Sequence, residues 1–232
     1  MRPKPPLMLF AAGFGTRMGA LTASRPKPLI EVAGKALLDH AREVGVAAGL
    51  TRQVVNAHYM ADQITAHLEG SGVAVSVERE RILDTGGGLR RALPMLGPGP
   101  VVTLNTDAVW TGQNPLTQLL DAWDDARMDV LFLVLPASVA RSATGRSDFV
   151  MDADGRISWA KGRDGVLYLG AQILNPRILE GEGDEVFSLH RPWTAAIEAG
   201  RAFGVIHQGD WCDVGHPGGI AEAEAMLNSH DV

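Results

Sequence analysis

An apolar run, Leu7-Met8-Leu9-Phe10-Ala11-Ala12, breaks at Gly13-Phe14-Gly15-Thr16-Arg17-Met18 and leads on to Arg25-Pro26-Lys27-Pro28-Leu29. A buried strand that empties into a glycine loop brings backbone N–H groups close to a bulky anion. An arginine and a lysine on the same loop add charge. That combination suits the handling of a nucleoside triphosphate. Two better-known phosphate patterns fit less well. The third glycine, Gly19, falls one position too late for the G-x-G-x-x-G dinucleotide fingerprint, and the next strand candidate, Val54-Val55-Asn56, brings no acidic residue for a ribose. No Gly-Lys-Ser/Thr follows the glycines, as a P-loop requires. By spacing alone the loop reads equally as a nucleotide site or as an ordinary turn.

The elements that must position this loop follow from length and periodicity. With 232 residues and 46% hydrophobic content, the chain can bury one α/β core, a class that commonly runs to about 200–250 residues undivided. Strand candidates at Gln53 to Asn56, Val73 to Val77 and Val101 to Asn105 alternate with helix candidates at Leu37 to Ala48, Met60 to Leu68 and Leu89 to Leu93. The last of these is read as a short helix opened by Gly86-Gly87-Gly88. Such alternation predicts a mostly parallel sheet with helices on both faces. Leu116 to Asp125 reads as helical and Val130 to Leu135 as extended. From about Ser138 antiparallel strands are expected, because Phe149 to Met151 and Ile157 to Trp159 flank the turn signal Asp152-Ala153-Asp154-Gly155. Val166 to Leu174 and Ala202 to His207 then read as strands, Leu189 to Ala199 and Gly218 to Asn228 as helices. Ligands of open α/β sheets gather beyond the carboxyl ends of the strands. Gly13 to Arg17, Asp107 and Asp213 each follow a predicted strand there, although alone either aspartate is as well explained as a turn or helix cap.

Composition bounds the partners. A net charge of −6 argues against a general nucleic-acid binder, which carries a basic stripe. The one cysteine, Cys212, excludes an intramolecular disulfide and reads as a small packed residue. Met1-Arg2-Pro3-Lys4 precedes an apolar stretch too short for a signal peptide, and no run reaches the ~18 apolar residues of a membrane helix, so a soluble, cytoplasmic protein is expected.

Taken in order, Ala-Ala-Gly-x-Gly-Thr-Arg-Met, Leu-Thr and Pro-Lys-Pro-Leu resemble the signature of the sugar-1-phosphate nucleotidyltransferases. Asp84-Thr85-Gly86-Gly87-Gly88 is similar to that family's base-binding segment, Asn105-Thr106-Asp107 to its metal aspartate, and Trp211-Cys212-Asp213-Val214-Gly215 to its second one. The resemblance implies a Rossmann-like open mixed sheet flanked by helices, glycosyltransferase-A-like, in a single domain. Its nucleotide-binding half would run from about 7 to 135 and its sugar-binding half from about 136 to 228. It also implies that a sugar 1-phosphate attacks the α-phosphorus of an NTP and expels pyrophosphate. The attacking phosphate is already ionised at pH 7, so such chemistry needs cations and Mg²⁺ rather than a general base.

The resemblance assigns residues to these tasks. Ala11, Ala12, Gly13, Gly15 and Thr16 line the nucleotide, with Arg17 on the β- and γ-phosphates and Lys27 facing the α-phosphate. Asp107 and Asp213 hold the metal. Asp84, Thr85, Gly86 and Gly87 read the base, and Asn105 reaches the ribose or the sugar. Arg146-Ser147-Asp148-Phe149 and Tyr168-Leu169-Gly170-Ala171 resemble sugar-side segments, placing Asp148 and Gly170 at the sugar and Lys161 near its phosphate. Serine at 147 departs from the usual glycine, and Lys161 lacks the expected Glu-Lys-Pro setting. Asn56 and His58 resemble an Asn-His pair of the same uridylyltransferase branch, which is short, works in recycling cell-wall sugars, and takes UTP and N-acetylmuramate 1-phosphate. The chain is expected to be a monomer or homodimer with no nucleic-acid or membrane partner. Three rivals remain: a mannose- or heptose-1-phosphate guanylyltransferase, a non-catalytic nucleotide-sugar sensor, which Arg17, Lys27, Asp107 and Asp213 together speak against, and a nicotinamide-dependent dehydrogenase.

Overall fold

The computed structural model describes residues 4–139 and 147–229. Arg146, the first residue of one sugar-side segment, lies outside them. In chain order the strands are β1 (Leu7–Phe10), β2 (Glu31–Val32), β3 (Lys35–Ala36), β4 (Gln53–Ala57), β5 (Ala74–Val77), β6 (Val101–Asn105), β7 (Ala108–Trp110), β8 (Val130–Pro136), β9 (Phe149–Met151), β10 (Ile157–Trp159), β11 (Val166–Leu174), β12 (Ala202–Ile206) and β13 (Trp211–Asp213). The helices are α1 (Leu37–Ala47), α2 (Ala61–His67), α3 (Asp84–Leu96), α4 (Pro115–Ala122), α5 (His190–Glu198) and α6 (Gly218–Asn228).

β1 lies between β4 and β6, parallel to both, and β5 continues the parallel half beyond β4. β11 runs antiparallel to β6 on one side and to β8 on the other, and β12 pairs parallel with β8. The antiparallel strands expected after residue 138 are β9, β10 and β11; β12, reached through α5, pairs parallel with β8 and so runs antiparallel to β11.

Alternation along each strand separates two cores. Leu7, Leu9, Val55 and Leu104 pack with Leu38 of α1, Ile64 of α2 and Leu119 of α4. Met8, Val54 and Phe132 face Leu89 of α3 and Trp193 of α5 on the opposite side. A third cluster joins Met18, Ile30, Val109, Cys212 and Val214 beneath Ala223 and Met226 of α6. It anchors the chain next to each charged residue of interest, since Met18 follows Arg17, Ile30 lies three residues past Lys27, and Cys212 precedes Asp213. Cys212 is packed there, fully buried.

Two local expectations need correction. The three glycines do not open a short helix: α3 starts at Asp84, absorbs them, and runs to Leu96 with Pro94 inside it. The reason is packing. A Cβ on Gly86 would lie 2.3 Å from the Phe187 ring, and one on Gly87 would lie 2.3 Å from the Glu185 carbonyl oxygen. Asp213 does not follow a strand of the main sheet. It ends β13, which among the described residues pairs only with β7.

Candidate active site

The crevice sits beyond the carboxyl end of β1, where the chain leaves toward β4 on one side and returns as β6 on the other, as open α/β sheets predict. A cavity of about 340 Å³ opens there between the glycine loop, the start of α3 and the segment after β6.

Gly15 shapes the loop. It adopts the left-handed conformation (φ 63°) as N-cap of the 3₁₀ helix Thr16–Thr22, and its carbonyl accepts the Met18 N–H and the Thr22 hydroxyl. A Cβ at this position would lie 2.8 Å from Lys27 Cβ, so the two ends of the long loop press together. Lys27 starts its own 3₁₀ turn, Lys27–Leu29, between Pro26 and Pro28, which fix the backbone and remove two competing donors. Its side chain, only 11% exposed, donates from Nζ to Asp107 Oδ2 at 2.8 Å.

Asp107 and Asp213 meet through the small β7–β13 ladder. Asp213 pairs with Ala108, and the Val214 N–H donates to the Asp107 carbonyl at 2.7 Å. Burial, then the charge of Asp107, pushes the Asp213 carboxyl up from the usual carboxylate range, against the opposing pull of Lys27, Arg17 and His216. Gly215 keeps this corner open: a Cβ there would lie 2.5 Å from Asp213 Oδ2 and 3.0 Å from the Arg17 guanidinium. Two carboxylates and two cations, from the long loop after β1 and the ends of β6 and β13, thus share one corner of the crevice. Among the described residues no three or more His, Cys, Asp or Glu side chains group to enclose a metal. The Asp107–Asp213 pair suits a hard cation that takes its remaining ligands from phosphate and water.

On the base side the four residues singled out in the sequence divide into two pairs. Asp84 (φ 61°) and Thr85 line the cavity. Gly86 and Gly87 do not, and their N–H groups both donate to the Phe187 carbonyl, at 2.9 and 3.1 Å. The Thr85 hydroxyl accepts the Leu189 N–H at 3.0 Å. Ala11, Ala12, Gly13, Gly15, Thr16, Arg17 and Lys27 line the cavity as the sequence suggested, but the Ala11 N–H is already spent on Asn56 Oδ1.

On the sugar side, Asn105 lines the cavity, and Gly170 shapes it from behind. Gly170 (φ 80°) sits at the register shift in β11, where a Cβ would lie 2.9 Å from Asn105 Cβ. Asp148 and Lys161 lie outside the cavity lining. Asp148 accepts the Tyr168 N–H at 2.9 Å, and burial pushes its carboxyl up while that bond and the nearby His190 oppose the rise. The Tyr168 phenol is pushed far up, chiefly by burial, so it stays protonated. It packs against Phe132 and Trp193, while His190 stacks on Trp159 at 4.7 Å. Lys161 stands exposed in the turn after β10 with φ 48°. Phe10, Pro28, Ile82 and Thr106 also line the cavity and were not singled out, because none has a residue type that signals chemistry.

Residues 7–199 match the MobA-like NTP transferase domain. A relative from Caulobacter vibrioides, described as an N-acetylmuramate alpha-1-phosphate uridylyltransferase, is 39% identical over 231 residues, covering 95% of this chain and 96% of the relative. One of the same description from Neisseria meningitidis serogroup B is 31% identical, covering 96% and 98%. Among solved structures, HddC from Yersinia pseudotuberculosis complexed with GMP-PN shares the fold at a TM-score of 0.76 and 19% identity, covering 97% of this chain and 100% of that one. The chain belongs to the MobA-like NTP transferase family and is a nucleotidyltransferase.

Proposed function

We propose that the protein transfers UMP from UTP to N-acetylmuramate 1-phosphate, giving a UDP-sugar and pyrophosphate. The observation that carries this reading is the shared corner of Arg17, Lys27, Asp107 and Asp213, beside a cavity of nucleotide size. Two relatives matched over nearly their whole length carry that description and support the choice of base and sugar.

The reaction forms one bond between a sugar-phosphate oxygen and the α-phosphorus and breaks the bond to the β-phosphate. Lys27, held on a stiff loop, leaves Asp107 for the α-phosphate as charge builds there. Arg17 meets the departing pyrophosphate, for which a guanidinium fork is well suited. Asp107 and Asp213 would hold Mg²⁺, which when bound neutralises phosphate charge and orients the triphosphate. Asp84 and Thr85 face the base, and Asn105 faces the ribose or sugar. The half from about 7 to 135 serves the nucleotide, and that from about 136 to 228, with Asp148, Lys161 and Gly170, serves the sugar. UTP as donor places the reaction in the cytoplasm, with the acceptor drawn from recycled cell-wall sugar. No helix among the described residues is long and apolar enough to cross a membrane.

The test is pyrophosphate release with Mg²⁺ across four nucleoside triphosphates and the 1-phosphates of N-acetylmuramate, N-acetylglucosamine, glucose and mannose. Release confined to UTP with N-acetylmuramate 1-phosphate is expected. Release only from GTP with mannose 1-phosphate would overturn the base and sugar assignment while keeping the reaction.

A further inference from the structure

Beneath the base-side wall, a run of buried hydrogen bonds ties three strand ends to the entrance of α3. Asn56, 3% exposed at the carboxyl end of β4, accepts the Ala11 N–H on Oδ1 at 2.8 Å and donates from Nδ2 to Glu78 Oε1 at 2.7 Å. Glu78, 2% exposed just past β5, accepts the Leu83 N–H on Oε2 at 2.7 Å. Its carbonyl oxygen lies 2.7 Å from His58 Nδ1. The orientation of the Asn56 amide is forced, because the Ala11 backbone N–H only donates, which puts Oδ1 toward Ala11 and Nδ2 toward Glu78. Gly88 of α3 closes the arrangement from above: a Cβ there would lie 2.7 Å from Glu78 Oε1 and 2.8 Å from Asn56 Nδ2.

Burying an amide and a carboxylate is costly unless both are bonded, and apolar side chains would hold these strands together without that cost. The bonds have one further effect. Ala11 belongs to the phosphate loop, and Leu83 immediately precedes Asp84 and Thr85. Three of the four segments reach the same cavity, whose lining includes Ala11, Asn56, Asp84 and Thr85, while Glu78 lies behind them, outside the lining.

We propose that Asn56 and Glu78 form a positioning pair for the nucleoside triphosphate, setting the separation between the phosphate loop and the base-facing entrance of α3. The proposal rests on the reading that a nucleoside triphosphate fills this cavity, but not on which base or sugar is used. Neither residue touches the reacting atoms.

A swap of polarity tests it. Asn56→Asp sets two buried carboxylates against each other, and Glu78→Gln sets two amide groups against each other or turns one on the Leu83 N–H. In the double variant the middle bond reverses: the carboxylate at 56 accepts from the amide at 78, and the bonds to the Ala11 and Leu83 N–H groups persist. Nucleotide Kd without sugar phosphate, KM for each substrate, and Tm would be measured on all forms. Each single variant is expected to raise Kd and KM for the nucleotide by about tenfold or more, the loss of one buried charge-assisted bond, with KM for the sugar phosphate within about twofold. The double variant is expected to return within about threefold of the parent. Gly88→Ala, which crowds the pair without removing a bond, is expected to raise nucleotide Kd selectively and serves if a single variant fails to fold. Unchanged nucleotide Kd in Gly88→Ala or in a folded single variant would overturn the proposal. So would a parallel rise in both KM values with a fall in Tm, or a double variant that recovers nothing. Parent protein that binds none of the four nucleoside triphosphates would overturn the nucleotide reading and the pair's role with it.

Discussion

The charge placed where β6 ends and β13 ends decides what this crevice can do. Lys27 and Asp107 form a contact of 2.8 Å that is largely withdrawn from solvent, beside a second carboxylate on Asp213. In water a pair at that distance is weak, but in a cleft it becomes a preset field for phosphate and cation. Lys27→Ala or Asp107→Ala should therefore cut kcat by about a hundredfold or more, the cost typical of one lost preorganised group, while the circular dichroism spectrum stays that of a folded chain. Near-parental turnover in either variant would remove these roles. The four charged residues that the structure brings together were picked out in the sequence by motifs that resemble the nucleotidyltransferase signature, since type and spacing alone read as well as a turn or a helix cap. Asn56 stood out only as half of an Asn-His resemblance and Glu78 not at all, since a buried relay between strand ends has no spacing of its own. The packing of Gly86 against the Phe187 ring and of Gly87 against the Glu185 carbonyl was not legible, because a glycine run looks the same whether it makes room for a base or for a side chain.

At the scale of elements, two glycines turn local conformation into site geometry. Gly15→Ala should destabilise by about 1–2 kcal/mol for the left-handed backbone alone, and should lower turnover further by pushing on Lys27 Cβ. Gly87→Ala has a less obvious sign. Inside an exposed helix the change would stabilise by about 0.5–1 kcal/mol, but here the new Cβ meets the Glu185 carbonyl oxygen, so urea unfolding should show a loss of about 1–3 kcal/mol. A gain in stability would mean that residues 185–187 do not pack on α3 as described. The alternation of β4, β5 and β6 with α1, α2 and α3 was legible, because each element is long enough to show its period. The β2–β3 and β7–β13 pairs were not. Elements of two or three residues carry no period, yet β7–β13 is the one that joins the two aspartates.

Over the whole molecule, two cores pack on opposite sheet faces and a third lies under α6 beside the crevice. The single α/β layer with helices on both faces followed from composition and alternation. The bend of β11 at Gly170 did not, because one glycine in a strand does not announce which neighbour it clears. The packing also sets a pH dependence. His207, 3% exposed, accepts from Gln118 Nε2 at 3.0 Å on Nδ1, so the neutral ring carries its proton on Nε2. Burial pulls its pKa below the ordinary 6.5, against the opposing influence of Asp210 and Thr111. The unfolded chain then binds more protons at acid pH, so this stability is full above about pH 6.5 and is lost as pH falls below it. The fall in Tm between pH 7 and 5.5 should be smaller in His207→Gln than in the parent; an equal fall would exclude this histidine as its source. Whether two carboxylates and two cations serve nucleotidyl transfer is decided by the products formed from UTP and N-acetylmuramate 1-phosphate, with and without Mg²⁺. UDP-sugar and pyrophosphate are expected in equal amounts, dependent on Mg²⁺ and formed about a hundredfold or more slowly in Asp107→Ala. Folded protein that binds UTP yet releases no pyrophosphate with any sugar 1-phosphate would contradict that role.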